Sequence, residues 1–143
     1  MTDLANQRSD LADALGSLSV VIPAYNAKSY VDSTLDAVQA FLTSRGLPHE
    51  IIVVDDGSTD DTPGRLEKRA AGLRVIRNDV NRGKGFSVRR GMLAAKMAWG
   101  LFMDVDHSTR IENLGSFAEF ASSADVIIAS RRVPGASRPF FST

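Results

Sequence analysis

An α/β fold, with a mainly parallel open sheet and helices on both faces, is predicted by three features of this 143-residue sequence. Short apolar runs alternate with stretches of helical periodicity; the runs are apolar on both faces, as buried parallel strands are; and a polar loop follows each run. Strand-helix alternation implies right-handed crossovers, which bring the carboxyl ends of the strands to one edge of the sheet, where ligands bind in such folds.

The elements follow in order. Leu18 to Ala24 holds a Val-Val-Ile run and reads as the first strand. Val31, Leu35, Val38 and Leu42 recur at helical spacing, with Ser29 and Asp32 as a capping box at the start of that helix. Glu50 to Val54 reads as the second strand, and a helix begins at Thr62 as N-cap with Pro63 at its first position and stops at Gly72. Leu73 to Arg77 is the third expected strand, Phe86 to Met97 the third helix, and Leu101 to Met103 a short fourth strand. Ile111, Leu114, Ala118 and Ala121 mark a last helix, and Val126 to Ala129 a fifth strand before Pro134, Gly135 and Pro139 break regularity.

Composition narrows the class. A chain of this length can bury about 68–70% of its unfolded surface, and 43% hydrophobic with 24% charged residues excludes a disordered or fibrous protein. Zero net charge argues against a nucleic-acid partner held by phosphate neutralisation. The absence of cysteine excludes disulfides, thiolate zinc sites and cysteine nucleophiles, and makes a cytoplasmic setting the expectation. No run reaches the roughly 18 apolar residues of a membrane span, and Met1 to Gly16 lacks the pattern of a signal peptide. Residues 1–17 therefore read as a polar leader, disordered or weakly helical, 18–135 as the ligand-binding domain, and 136–143 as an irregular tail.

Local charge is uneven where total charge is not. Asp55 to Asp61 carries four acids and no base, whereas Arg82 to Lys96 carries five bases and no acid. Asp104 and Asp106 leave the fourth strand one residue apart, and hard divalent cations take one or two carboxylates plus phosphate oxygens and waters. An ordinary Asp-rich turn has the same composition. Asp55 and Asp56 are adjacent charges that repel unless a cation or a donor lies between them, so a base N–H, a ribose hydroxyl or the same metal is their expected partner. Asp60 and Asp61 read as caps of the next helix. Asn81 to Gly85 has the composition of a phosphate cradle, in which Gly83 and Gly85 allow close backbone approach and Arg82 and Lys84 add charge, although neither the Walker spacing nor G-x-G-x-x-G is present. Arg89 and Arg90 lie on the helix that follows, with a solvated face as the plain alternative. His49 reads as surface; His107 adjoins the acid pair, but a lone histidine is more often structural than catalytic.

SVVIPAYN at Ser19 to Asn26, EIIVVDDGSTDDT at Glu50 to Thr62, NRGKGFSVRRGM at Asn81 to Met92, LFMDVDHST at Leu101 to Thr109 and VIIASRRVPG at Val126 to Gly135 together resemble family 2 glycosyltransferases. Within that family they are most similar to the dolichyl- or polyprenyl-phosphate hexose synthases, with the GKG loop followed by V-R-x-G-M pointing to the glucosyl branch. The resemblance implies a Rossmann-like GT-A nucleotide-sugar-binding fold and a Mg2+ or Mn2+ cofactor. It implies transfer of a hexose from a nucleotide diphosphate sugar, UDP-glucose ahead of GDP-mannose, to a polyprenyl or dolichyl phosphate at a membrane surface. By the same resemblance Pro23, Ala24 and Tyr25 would line the base, and Asp55 or Asp56 would bond base or ribose. Asp104 and Asp106 would be the catalytic pair holding metal and diphosphate, and Lys84, Arg90 and Arg131 would meet phosphate. Asn26, Gly83 and Val105 complete the expected nucleotide-sugar-binding set.

Two positions depart from the family pattern: Ala27 stands where an acid is usual, and His107 and Ser108 replace the usual residues after the second Asp. Family members also continue past this length with an acceptor-binding segment. A homodimer, or a partner supplying the acceptor platform, is one expectation; a truncated, non-catalytic sugar-nucleotide-binding or regulatory module is the alternative. A nucleotidyltransferase would need a signature loop near the first strand that is absent.

Overall fold

A computed structural model describes residues 10–130, 132 and 134. Its centre is a four-stranded, all-parallel sheet of β1 (Leu18–Ala24), β2 (His49–Asp55), β3 (Arg74–Arg77) and β4 (Trp99–Phe102), in the order β3-β2-β1-β4. Seven residues of β1 pair with seven of β2, from Leu18 opposite His49 to Ala24 opposite Asp55, and every residue of β1 is buried. Such double burial explains why this segment is a continuous apolar run rather than an alternating one.

Residues 10–15 form helix α1, followed by α2 (Val31–Ser44), α3 (Thr62–Glu67), α4 (Lys84–Ala94) and α5 (Leu114–Ala118). The stretch expected to be a polar leader through residue 17 thus includes a helix whose Leu11 and Leu15 lie in the main core. The side chains Val20, Ile22, Ile51 and Val53 face that core with Leu35, Val38 and Leu42 of α2, while Val21, Ile52 and Val54 face the opposite side. The 3.6-residue period of α2 and the two-residue period of the strands meet there, which is the physical basis of the layered fold.

The second face is closed by α4 in an unusual way. Its buried residues are Ser87 and Gly91, not large apolar side chains. A Cβ on Gly91 would sit 2.3 Å from Val21 Cγ1 and 3.1 Å from Val54 Cγ2, so glycine lets the helix backbone lie against the sheet. Alanine is the better helix former by about 1 kcal/mol, but overpacking a core costs about 1–3 kcal/mol. Gly91→Ala is therefore expected to lower stability by up to about 2 kcal/mol in urea denaturation; a stabilising result would show that α4 can move off the sheet.

Several local expectations differ from the structure. The Ser29–Asp32 capping box does not form: Tyr30 is the N-cap of α2 with no side-chain cap bond, because Asp32 is taken by Arg65 and Arg69 of the α3 region. The N-cap of α3 is Asp61 rather than Thr62, whose hydroxyl donates to Asp60 Oδ1 instead. That helix ends at Glu67, and Gly72 closes a separate 3-10 turn. The last helix is broken into a 3-10 turn at Ile111–Asn113 and α5. Val126 to Ala129 is not a strand: the segment has no ladder partner, and Val126 and Ile128 are 75% and 82% exposed. β-branched residues favour a strand only when a sheet edge is there to pair with. No helix among the described residues is long and apolar enough to cross a membrane.

Sheet order decides where a ligand can enter. Successive connections run outward from β1 to β2 to β3, then the chain crosses back to lay β4 on the other side of β1. The carboxyl ends of β1 and β4 thus flank a topological switch point, the place where open α/β sheets leave a crevice.

Candidate functional site

The β1 and β2 tips are zipped together before any ligand is considered. Asn26 takes a left-handed backbone, φ 48°, which asparagine tolerates better than most residues. Its N–H donates to Ser58 Oγ at 3.0 Å, and its Oδ1 accepts from Thr59 N at 2.8 Å, Thr59 Oγ1 at 3.3 Å and Asp60 N at 3.3 Å. Ala27 N donates to Thr62 Oγ1 and Lys28 N to Asp60 Oδ2. Asn26 is thereby a clamp between loops, its acceptor engaged. Pro23 and Ala24 are buried within β1, whereas Tyr25 is 47% exposed at the edge.

The two acids at the β2 tip have different duties. Asp56, 3% exposed, accepts from Asn78 Nδ2 at 2.7 Å and Arg82 N at 2.8 Å through Oδ1, and from Gly83 N at 2.9 Å through Oδ2. It holds the glycine loop in place. Asp55 accepts from Ser58 N at 3.1 Å through Oδ1; its Oδ2, 3.4 Å from Arg77 Nε, is buried with no hydrogen-bond donor. That oxygen is closed to solvent and faces the Arg77 guanidinium, with hydrogen-bonding capacity left unused.

Burial alone would raise the Asp56 carboxyl, but the Arg82 N–H, the Asn78 amide and the Gly83 N–H together hold it below the ordinary value of 3.8. With the folded value depressed, the stabilisation from these bonds is fully present above about pH 4 and is lost as pH falls through the folded value. Asp56→Asn is expected to flatten the fall in stability below about pH 4, measured by urea unfolding at each pH. An unchanged acid limb would mean that other carboxylates set it.

Asn78 was outside the sequence-based set and proves central. It is buried, donates to Asp56 and to Ser87 Oγ at 3.0 Å, and accepts from Arg90 Nη1 at 2.6 Å. Its signal was positional: it is the first polar residue after β3, the same rule that singles out the other tips. Arg90, expected at phosphate, donates to Arg77 O at 2.8 Å and to Asn78 Oδ1, which ties α4 to the end of β3.

Lys84 carries the glycine loop across to the β4 tip, where its Nζ forms an ion pair with Asp104 Oδ1 and lies 5.8 Å from the Phe102 ring. Ser108 donates its N–H to Asp106 Oδ1 at 3.0 Å and its hydroxyl to Asp104 Oδ2 at 3.3 Å, closing a tight turn around both acids. The Ser108 N–H and hydroxyl hold Asp106 below the usual aspartate range against the effect of burial, and the Lys84 charge adds to them. The Val105 carbonyl accepts from Thr34 Oγ1 at 2.7 Å. Asp55, Asp56, Gly83, Lys84, Asp104 and Asp106 are thus linked at one edge of the sheet; Arg131 lies outside the described residues.

Among the described residues no three His, Cys, Asp or Glu side chains are grouped to hold a metal. A protein cage is therefore absent there. Two carboxylates one residue apart instead fit a hard cation whose remaining ligands are phosphate oxygens and water. Gly83 N–H is bonded to Asp56 Oδ2 and to Asn81 Oδ1, so it is engaged within the loop, and Lys84 is the loop side chain that reaches the acid pair. A cleft of about 710 Å3 opens beside Lys84 and Asp104 and is lined by residues of β4 and by residues 125–129, within the size range of small-molecule sites.

The sequence model of the family described as Glycosyl transferase family 2 matches residues 19–142. A dolichyl-phosphate beta-glucosyltransferase of Drosophila melanogaster is 45% identical over 103 residues, covering 65% of this chain and 32% of its own. Among solved structures, S. aureus TarS 1-349 in complex with UDP-GlcNAc has a TM-score of 0.60 at 30% identity over 74% of this chain and 31% of its own. Glucosyl-3-phosphoglycerate synthase from Mycobacterium tuberculosis, in complex with Mn2+, UDP and phosphoglyceric acid, has a TM-score of 0.56 at 30% identity, covering 71% of this chain and 36% of that one. The chain spans about a third of the length of the curated relatives it matches.

Proposed function

The chain belongs to glycosyl transferase family 2, and from that premise we propose that it forms the donor-binding part of an enzyme that moves a hexose from a nucleotide diphosphate sugar to a polyprenyl or dolichyl phosphate. The observation that carries this reading is the Lys84–Asp104 contact: the basic loop and the acid pair meet at the β1/β4 switch point, where a diphosphate with its cation needs both signs of charge. The neighbours crystallised with UDP, a UDP-sugar or Mn2+ support the donor class and the metal, and the dolichyl-phosphate beta-glucosyltransferase relatives support the acceptor and glucose as the sugar.

In this reading Asp104 and Asp106 hold Mg2+ or Mn2+, which supplies Lewis-acid stabilisation of the leaving diphosphate. Lys84 exchanges Asp104 for a phosphate oxygen when the donor enters. Asp55 Oδ2 accepts from the base or ribose, and the exposed Tyr25 ring lies along the base. Asp56 and Asn26 act one step back, holding the loops that carry the others. A phosphate monoester acceptor is already anionic near neutral pH, so its attack on the anomeric carbon needs no strong general base. A lipid phosphate would bring the protein to a membrane surface.

The test is a thermal-shift panel of UDP-glucose and GDP-mannose with Mg2+ or Mn2+, because a ligand that binds only the folded form raises its melting temperature. A rise that needs both metal and nucleotide sugar, larger for UDP-glucose, is expected. No rise for any pair would overturn the donor assignment, while binding without transfer to a polyprenyl phosphate would leave a sugar-nucleotide-binding module.

A further inference from the structure

His107 is not absorbed by this reading, and its surroundings determine which of its nitrogens carries hydrogen. Its Nε2 lies 2.8 Å from Ser33 Oγ and 3.2 Å from Thr34 Oγ1. Each hydroxyl has one hydrogen and two lone pairs. The Ser33 hydrogen points to Tyr30 O at 3.0 Å, and the Thr34 hydrogen to Val105 O at 2.7 Å. With the hydrogens in that arrangement both oxygens accept from the imidazole, and Nε2 bears the hydrogen they share. This holds for the neutral Nε2–H tautomer and for the imidazolium alike, so the contact requires no change of charge.

We propose that His107 is a positioning residue that, with Thr34, fastens the Asp104–Asp106 turn to the first turn of α2. The connections flank the second acid on both sides: Thr34 grips the carbonyl of Val105, just before Asp106, and the ring of His107, just after it, donates back to Thr34. Thr34 is 1% exposed and belongs to the buried face of α2, so the anchor is part of the core. His107 adopts φ 61°, a left-handed backbone that is uncommon in non-glycine residues and that histidine takes more readily than most. Its ring contacts hold that conformation. The same backbone reversal aims the Ser108 N–H at Asp106 Oδ1, so loosening the ring loosens the acid. The effect on metal binding rests on the proposed function; the clamp itself does not.

Two measurements separate the clamp from that function. In the nitrogen NMR spectrum of the wild-type chain, Nε2 of His107 is expected to bear hydrogen. His107→Ala is expected to speed hydrogen exchange of the Ser108 amide by roughly three- to tenfold, the size of one lost hydrogen bond. A hydrogen on Nδ1 alone, or unchanged exchange, overturns the proposal whether or not any nucleotide binds. With Mn2+ and UDP as probes, His107→Ala is expected to raise the Mn2+ concentration for half-maximal UDP-dependent thermal shift by about 10- to 100-fold, as removal of an outer partner of a metal site does. UDP affinity without metal should stay unchanged, and His107→Gln, which keeps a side-chain N–H donor, should recover most of the loss. Equal loss in both variants, or a loss seen only as a lower melting temperature, would make His107 merely structural. Failure of the wild-type chain to respond to Mn2+ and UDP would count against the proposed function and leave the spectrum and the exchange rates to decide the clamp.

Discussion

Asp106→Asn is expected to lower Mn2+-dependent affinity for UDP-glucose by at least about 10- to 100-fold, the loss seen even when only an outer partner of a metal site is removed. The reason is local. Asp106 is ionised well below neutral pH because the Ser108 N–H and hydroxyl, with Lys84 near, favour its charged form. Asparagine preserves the shape and an oxygen for the Ser108 N–H, so the turn survives while one of two anionic ligands disappears. Calorimetry with and without Mn2+ separates the effects: affinity should fall only in the presence of metal. Equal affinity in wild type and variant with Mn2+ would remove Asp106 from the site. Asp104→Asn is expected to act differently, since Asp104 Oδ1 also faces Lys84; its loss frees the lysine, so metal-independent binding of UDP should rise as metal dependence falls.

Gly57→Ala is expected to be the most damaging small change outside the acid pair. Gly57 has φ 70°, and a Cβ there would lie 2.6 Å from Val80 C, 2.7 Å from Asn81 N and 2.9 Å from Val80 Cα. Those atoms are backbone and cannot rotate away. A left-handed alanine costs roughly 1–2 kcal/mol, and forced overpacking about 1–3 kcal/mol more. Relief can come only by displacing residues 80–81, which lead directly into the Arg82 and Gly83 N–H groups held by Asp56. Urea denaturation should therefore show a loss of about 2–5 kcal/mol, with loss of UDP binding in any fraction that still folds. Gly46→Ala is the control: its φ is 62° but nothing lies within 4 Å, so only the conformational cost applies. Similar losses at the two positions would show that backbone conformation, not the contact with the 80–81 loop, sets the effect.

All four strands could be read without coordinates, and the doubly buried pair most closely. Leu18–Ala24 was placed to the residue, and β2 within one residue at each end, because continuous apolar runs flanked by polar turns have few alternatives. Val126 to Ala129 has the same pattern and is not a strand, since pairing depends on a neighbouring edge that composition does not encode. Helix ends were less legible for a related reason: Asp32 and Thr62 carry capping chemistry, but salt bridges from Arg65 and Arg69 and bonds to Asp60 and Ala27 took those groups instead. A side chain with several available partners is assigned by whichever one the fold brings near.

The order of apolar and polar segments was enough to determine a layered parallel sheet and a shared edge for the acidic and basic loops, because strand direction and crossover hand leave little freedom once the elements are known. Only the tertiary structure divided the work among neighbours: Asp56 and Asn26 as clamps, Asp55 with an oxygen to spare, Lys84 across to Asp104, and His107 back to Thr34. Hydrogen bonds act over about 3 Å, and which donors reach which oxygens over that distance depends on how strands far apart in sequence are set side by side.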